Sequence, residues 1–311
     1  MKTLKKLAIG VFAGLTFNQA MACASCGCSL STDWQGQGMT TSQGWHLDLR
    51  HDLVNQNQMR SGTGTAATSS ATEQELYTRN HYTSVGLDYN WNETWGIQLQ
   101  LPYIDRDHAT NGEDGSTWSA SHTQSLGDIK LVMRYAGLED DSIGLQFGLK
   151  LPTGSFTQNF ASGDAAGTVL DRGLQPGSGT TDAILGVYKT GSLSQNWDYF
   201  SQAVAQLPLN SRDDYKPGNA LNLNLGFRYM GLESVTPQLQ LNARVSAKDS
   251  GSQATPDDSG GQTLYLSPGV SVPVNDKLKL YGFVQLPLYQ NLNGYQLAPT
   301  YTASVGLQLA F

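Results

Sequence analysis

The sequence predicts an all-β fold, a transmembrane up-and-down antiparallel β-barrel of about 12 strands with short periplasmic turns and long extracellular loops. Three observations carry this reading. Beyond the first residues, no stretch of the chain approaches the roughly 18 unbroken apolar residues that a membrane helix needs. Segments of about ten residues alternate apolar and polar side chains, which is the period of a strand and not of a helix. The links between those segments alternate in length, short then long, as they do where a barrel has one face towards the periplasm and one outside.

The chain opens on MKTLKKLAIGVFAGLTFNQAMA, in which Lys2, Lys5 and Lys6 precede an apolar run from Leu7 to Phe17 and the small-x-small stretch Ala20-Met21-Ala22. This has the pattern of a secretory signal peptide over residues 1–22. It leaves residues 23–43 as a cysteine-containing periplasmic or lumenal segment and 44–311 as the barrel. Without the leader, 16 basic residues stand against 26 acidic ones, a net charge of −10. So acidic a chain is not expected to bind nucleic acid.

The strands follow in order. WHLDLRHDLV (45–54), HYTSVGLDYNW (81–91), WGIQLQLPYI (95–104) and GDIKLVMRYA (127–136) come first. SIGLQFGLKL (142–151), TDAILGVYKT (181–190), WDYFSQAVAQLPL (197–209) and ALNLNLGFRYM (220–230) continue the series. QLQLNARVSA (238–247), TLYLSPGVSVPV (263–274), LKLYGFVQLPL (278–288) and YTASVGLQLAF (301–311) complete it. In the last, Tyr301, Ala303, Val305, Leu307, Leu309 and Phe311 share one face and Thr302, Ser304, Gly306, Gln308 and Ala310 the other. The closing Phe311 resembles the C-terminal signal that outer-membrane barrels present to their assembly machinery.

Short links at 92–94, 137–141, 191–196, 231–235 and 275–277 interleave with long ones at 55–80, 105–126, 152–180, 210–219, 248–262 and 289–300. Both ends of the chain then lie on the short-turn side, as an even strand number requires. Trp45, Trp91, Trp95, Tyr103, Tyr135, Tyr229 and Tyr301 fall near strand ends, where amphipathic rings suit the membrane interface. The expected location is the bacterial outer membrane, among lipid and lipopolysaccharide.

Strand phase also assigns a lumen lining. It comprises His46, Asp48, Arg50, Asp52, Asp88, Asp128, Lys130, Arg134, Lys150, Arg228, Arg244 and Lys279. Charges of both signs around a narrow bore could select solutes or pair to seal it, and the pattern leaves both open.

LGDIKLVMRY (126–135), GLKLPTGS (148–155) and LQPGSGTTDAILGVYKTG (174–191) resemble successive motifs of the outer-membrane transporter family of the phenol meta-degradation pathway. The likeness spans residues 80–311. It implies a channel that helps a small, hydrophobic solute cross the outer membrane. Beside it, Gly154, Gly177 and Gly179 suit positive-φ turns of a structured loop, Pro152 a strand end, and Asp182 a cap on that loop.

A hydrolytic barrel needs a nucleophile and a histidine at strand spacing. His51, His81, His108 and His122 read as isolated, so no catalytic residue is assigned and the chain is not expected to be an enzyme. His108 stands in DRDHATNGEDG with Asp105, Asp107, Glu113 and Asp114, an oxygen-rich loop that could hold a divalent cation.

Cys23, Cys26 and Cys28 are the only cysteines. Their C-x-x-C-x-C spacing lacks the histidine of a haem attachment and the fourth thiolate of a zinc or iron–sulfur site. Three readings stay open: a disulfide with one spare thiol for a periplasmic partner protein, trigonal Cu(I), or lipidation of Cys23. They support an alternative function, a sealed barrel whose N-terminal segment binds copper or docks a partner.

Overall fold

The computed structural model describes residues 43–66, 74–111, 117–139 and 142–311. The leader and the three cysteines lie outside them, and so do Glu113 and Asp114. The extended segments are β1 (Gly44–Gly62), β2 (Gly64–Thr65), β3 (Gln74–Asn90), β4 (Trp95–Asn111), β5 (Trp118–Leu126), β6 (Ile129–Leu138) and β7 (Ile143–Leu151). Then come β8 (Ser162–Gly163), β9 (Asp182–Ser194), β10 (Trp197–Pro208), β11 (Ala220–Tyr229), β12 (Thr236–Ser246), β13 (Gly261–Pro273) and β14 (Leu278–Ala310).

Every pairing among them is antiparallel, and the sheet closes on itself because β14 and β3 both pair with β1. β5 and β6 both pair with β4 and form one strand interrupted at Gly127–Asp128. β14 is a hairpin: its residues 279–292 pair with β13 and its residues 292–310 with β1. With β5 and β6 counted as one, β14 as two, and the two-residue β2 and β8 set aside, twelve strands line the ring, as the periodicity predicts.

The outer wall is apolar. Leu49, Leu131, Leu149, Leu185, Leu223, Leu239, Val272, Leu286 and Val305 are all exposed, while the residues between them on each strand point inward. So much exposed leucine and valine on a closed surface calls for lipid as its solvent. At the short-turn rim, Trp45 and Tyr89 lie with ring centroids 4.6 Å apart, Trp95 and Tyr135 4.9 Å, and Trp197 and Tyr229 5.1 Å. Tyr301 pairs with Asn55, ten residues along β1 from Trp45. That is about 33 Å of strand, or about 25 Å of height at a tilt near 40°, the thickness of an outer-membrane apolar band.

Three of the long loops expected from the sequence are largely strand. β1 runs on to Gly62, β4 and β5 pair from Tyr103–Leu126 up to Asn111–Trp118, and β14 is extended throughout 289–300. The reason is physical. Above the membrane both faces of a strand meet water, so hydrophobic alternation fades while the hydrogen-bond ladder continues. His108 is therefore no loop residue: it faces inward from β4, only 2% exposed, while Asp105 and Asp107 face outward. The expected cation loop is split across two faces, and among the described residues no group of three His, Cys, Asp or Glu is placed to hold a metal.

Candidate functional site

The interior is built from the inward set of each strand. Arg50 Nε donates to Asp52 Oδ2 at 2.8 Å, and Ser304 Oγ donates to Asp52 Oδ1 at 2.5 Å. Asp88 is ion-paired with Arg134, which also donates to Asn90 Oδ1 at 2.8 Å. Tyr281 donates its hydroxyl to Asp48 at 2.9 Å, Arg228 lies 3.3 Å from Asp198, and Arg244 donates to Asn222 at 3.0 Å. Each of these predicted residues thus has a polar partner. At the short-turn end lies a vestibule, a cavity of about 110 Å³ lined by residues that include His46, Asp48, Asp88, Asn90, Gln98 and Lys279.

One wall carries features that reading for charge misses. Gln202 donates to Gln146 at 3.0 Å, Asn224 to Gln202 at 3.1 Å, Asn242 to Asn224 at 2.7 Å and Ser267 to Asn242 at 2.6 Å. This belt of amides crosses the wall from β7 to β13. Towards the vestibule, Phe200, Tyr281 and Phe283 form a buried aromatic cluster. The Phe200 ring lies over Gly226 and the Phe283 ring over Gly269, so both rings lie against the wall instead of reaching across the bore. The signal was in the sequence as an aromatic next to a glycine in register on the neighbouring strand, but the register was needed to see it.

The third component is the segment between β7 and β9, which folds onto the inner wall. Phe160, Leu170 and Leu174 form its own small core. Arg106, inward-facing on β4, donates to the carbonyl of Leu174 at 2.5 Å, to Asn80 Oδ1 at 2.5 Å and to the Tyr82 hydroxyl at 2.9 Å. His108 accompanies it, 2.9 Å from Thr78 Oγ1 and with its ring 6.2 Å from Phe160. β8 extends the sheet by pairing with Ser119 and Ala120 of β5.

Both ends of this segment are fastened at one buried junction. Asp128 sits at the interruption between β5 and β6, where Thr153 Oγ1 substitutes for ladder partners by donating to Gly127 O at 3.0 Å and accepting from Ile129 N at 3.0 Å. Asp128 Oδ1 accepts from Gly154 N at 3.0 Å, and its Oδ2 accepts from Ser178 N at 3.0 Å and Ser178 Oγ at 2.9 Å. Lys150 lies 3.1 Å from Asp128 and 3.0 Å from Asp182 and donates to Ser178 Oγ. Asp182 also accepts from Thr180 Oγ1 at 2.7 Å and Gln206 Nε2 at 2.6 Å. Two carboxylates thus share one ammonium, and neutral donors satisfy their remaining lone pairs.

The glycines serve this junction differently from expectation. Only Gly179 of the three has a positive φ, 73°. Gly154 and Gly177 are needed for close approach: a Cβ on Gly154 would stand 2.8 Å from Gly177 Cα, and one on Gly177 would stand 2.3 Å from Gly154 O. Gly154→Ala is expected to force the crossing apart and lower stability by about 1–3 kcal/mol, the range for overpacking. A urea unfolding midpoint of the refolded barrel would measure it, and an unchanged midpoint would refute the close-approach role.

The family profile described as "Putative MetA-pathway of phenol degradation" matches residues 54–296. The chain belongs to that family. The Gly-Asp (127–128), Leu-Pro-Thr-Gly (151–154) and Gly-Ser-Gly (177–179) stretches of this chain meet at the Asp128–Lys150–Asp182 junction. Among solved structures, this phenol-degradation family barrel is similar to the COG4313 outer membrane channel from Pseudomonas putida F1, with TM-score 0.66 and 13% identity over 87% of this chain and 96% of that one. It is also similar to the β domain of the Bordetella autotransporter BrkA, with TM-score 0.51 and 15% identity over 87% of this chain and 100% of that one. At these identities the likeness establishes the fold. A comparison with curated proteins finds no match.

Three of the four histidines that the sequence leaves isolated, His51, His81 and His122, form contacts on the outer wall. His51 lies 3.0 Å from Thr83 Oγ1 and 3.4 Å from His81, and His122 lies 2.7 Å from Asp107. His122 and Asp107 face outward on the far side of the wall from the bore.

Proposed function

We propose that this phenol-degradation family barrel is an outer-membrane channel for small solutes, with the charged inward residues as its lumen lining. The observation that carries the reading is a closed, apolar-skinned barrel with a polar bore, a vestibule at one end and an inward-folded segment fastened at the other. The fold shared with the Pseudomonas putida channel supports it. The aromatic cluster beside the bore favours solutes with an apolar part, in keeping with the family's link to phenol degradation. Outward-facing Arg79, Asp105, Asp107 and His122, above the apolar band, would meet lipopolysaccharide headgroups and the cations they carry.

The test is electrical. In a planar bilayer the purified protein is expected to give discrete conductance steps, and a silent bilayer would favour the sealed barrel with its cysteine-borne copper or partner. Because Lys279 lines the vestibule, Lys279→Glu is expected to shift the reversal potential in a salt gradient towards cation selectivity. An unmoved reversal potential would take the vestibule off the conduction path.

A further inference from the structure

The vestibule presents polar side chains that the protein itself does not use. Lys279, Gln98 and Gln308 line its cavity of about 110 Å³, and among the described residues their side chains make no hydrogen bond or ion pair. None of their polar atoms is sealed from solvent, so each is within reach of whatever enters the cavity.

Register brings two of the three together. Ala310 N donates to Lys277 O at 2.9 Å, and a Cβ on Gly306 would meet the Tyr281 ring. The two limbs of the β14 hairpin therefore run with Lys279 beside Gln308. Gln98 stands three strands round the wall from the second limb, through the pairs Gln98–Asp88, Asp88–His46 and His46–Ala310. An ammonium and an amide on one side of the cavity thus look towards a second amide on the other.

The charges of the lining are otherwise answered. Asp88 is paired with Arg134, and Asp48 accepts from the Tyr281 hydroxyl at 2.9 Å. Asp276 and Lys277, exposed on the rim turn, are adjacent and opposite in sign. Lys279 keeps no counter-charge, and the Arg228 guanidinium adds to the positive potential around it. A carboxylate fits the Lys279–Gln308 pair because its two oxygens can accept from the ammonium and from the neighbouring amide together. An apolar cavity of roughly 150 Å³ holds benzene, so the space here suits a solute of about four or five non-hydrogen atoms.

We propose that Lys279 and Gln308, with Gln98 across the cavity, make the vestibule a binding site for small monocarboxylates. This rests on the channel reading above and names the chemistry of a solute that the barrel takes. Leu278 and Ala310, in the same lining, offer contact to the short carbon chain of such a solute.

The test titrates the purified full-length protein in detergent, near neutral pH, with sodium propionate and with its uncharged isostere propionamide, and reads binding by saturation-transfer NMR. The wild type is expected to bind propionate about tenfold more tightly than propionamide, the advantage of a charge-assisted hydrogen bond over a neutral one. Lys279→Met, which keeps an unbranched side chain and removes the charge, is expected to abolish that preference, and Gln308→Leu to weaken binding of both probes. The heat-modifiable band on a gel checks that each variant is folded. Equal affinities in the wild type, or a preference that survives Lys279→Met, would overturn the site. Bilayer recordings of the same wild-type preparation separate the two readings. Conductance without a preference for propionate leaves the channel and removes the site, whereas a silent bilayer with the preference intact removes the channel and leaves the site.

Discussion

Asp128→Asn is expected to free the segment between β7 and β9 and to raise single-channel conductance several-fold, with a noisier open level. The carboxylate accepts from Gly154 N, Ser178 N and Ser178 Oγ while facing the Lys150 ammonium. An amide keeps only one of the two accepting oxygens, so the bonds to one end of the segment, from Gly154 N or from Ser178, are lost or reversed. Removing one partner of a buried ion pair costs about 3–5 kcal/mol, and the cost here should be nearer 2–3 because Lys150 keeps Asp182. Bilayer recordings and a urea midpoint measure the two effects separately. If both match wild type, the junction is no latch. A drop in stability with wild-type conductance would place the segment off the conduction path.

Leu149→Arg tests which face of the wall meets lipid. Leu149 is 42% exposed on β7 and pairs with Leu131, while the next residue, Lys150, is a buried cation on the inner face. An arginine on the lipid face near mid-membrane costs about 2–4 kcal/mol, falling towards zero at the interfaces. The folded fraction in phospholipid vesicles, read from the heat-modifiable band on a gel, should drop accordingly. A neutral result would mean that the strand phase is off by one residue, which would turn the whole inner face outward.

The two predictions depend on different parts of the chain. The face of Leu149 follows from alternation alone, since side chains on a strand must alternate and lipid requires one side to be apolar. The role of Asp128 does not follow from any local pattern. Its Gly-Asp dipeptide lies 26 residues before Gly154 and 50 before Ser178, and only the folded wall brings the three together.

By itself, the sequence determined the strand number, the alternation of short and long links across the membrane wall and the family motifs. These are local or periodic properties, written into every ten residues by the requirement that one face suit lipid and the other water. Tertiary structure alone decided the partners. It joined Arg50 to Asp52 and Ser304, drew His108 out of an expected cation loop and onto the inner wall, and extended β4 and β5 above the membrane. It also laid the Phe200 and Phe283 rings over glycines and set Lys279 beside Gln308 at the vestibule. Register around the closed barrel fixes such neighbours, and register is a property of pairing across strands, which no single strand's pattern contains.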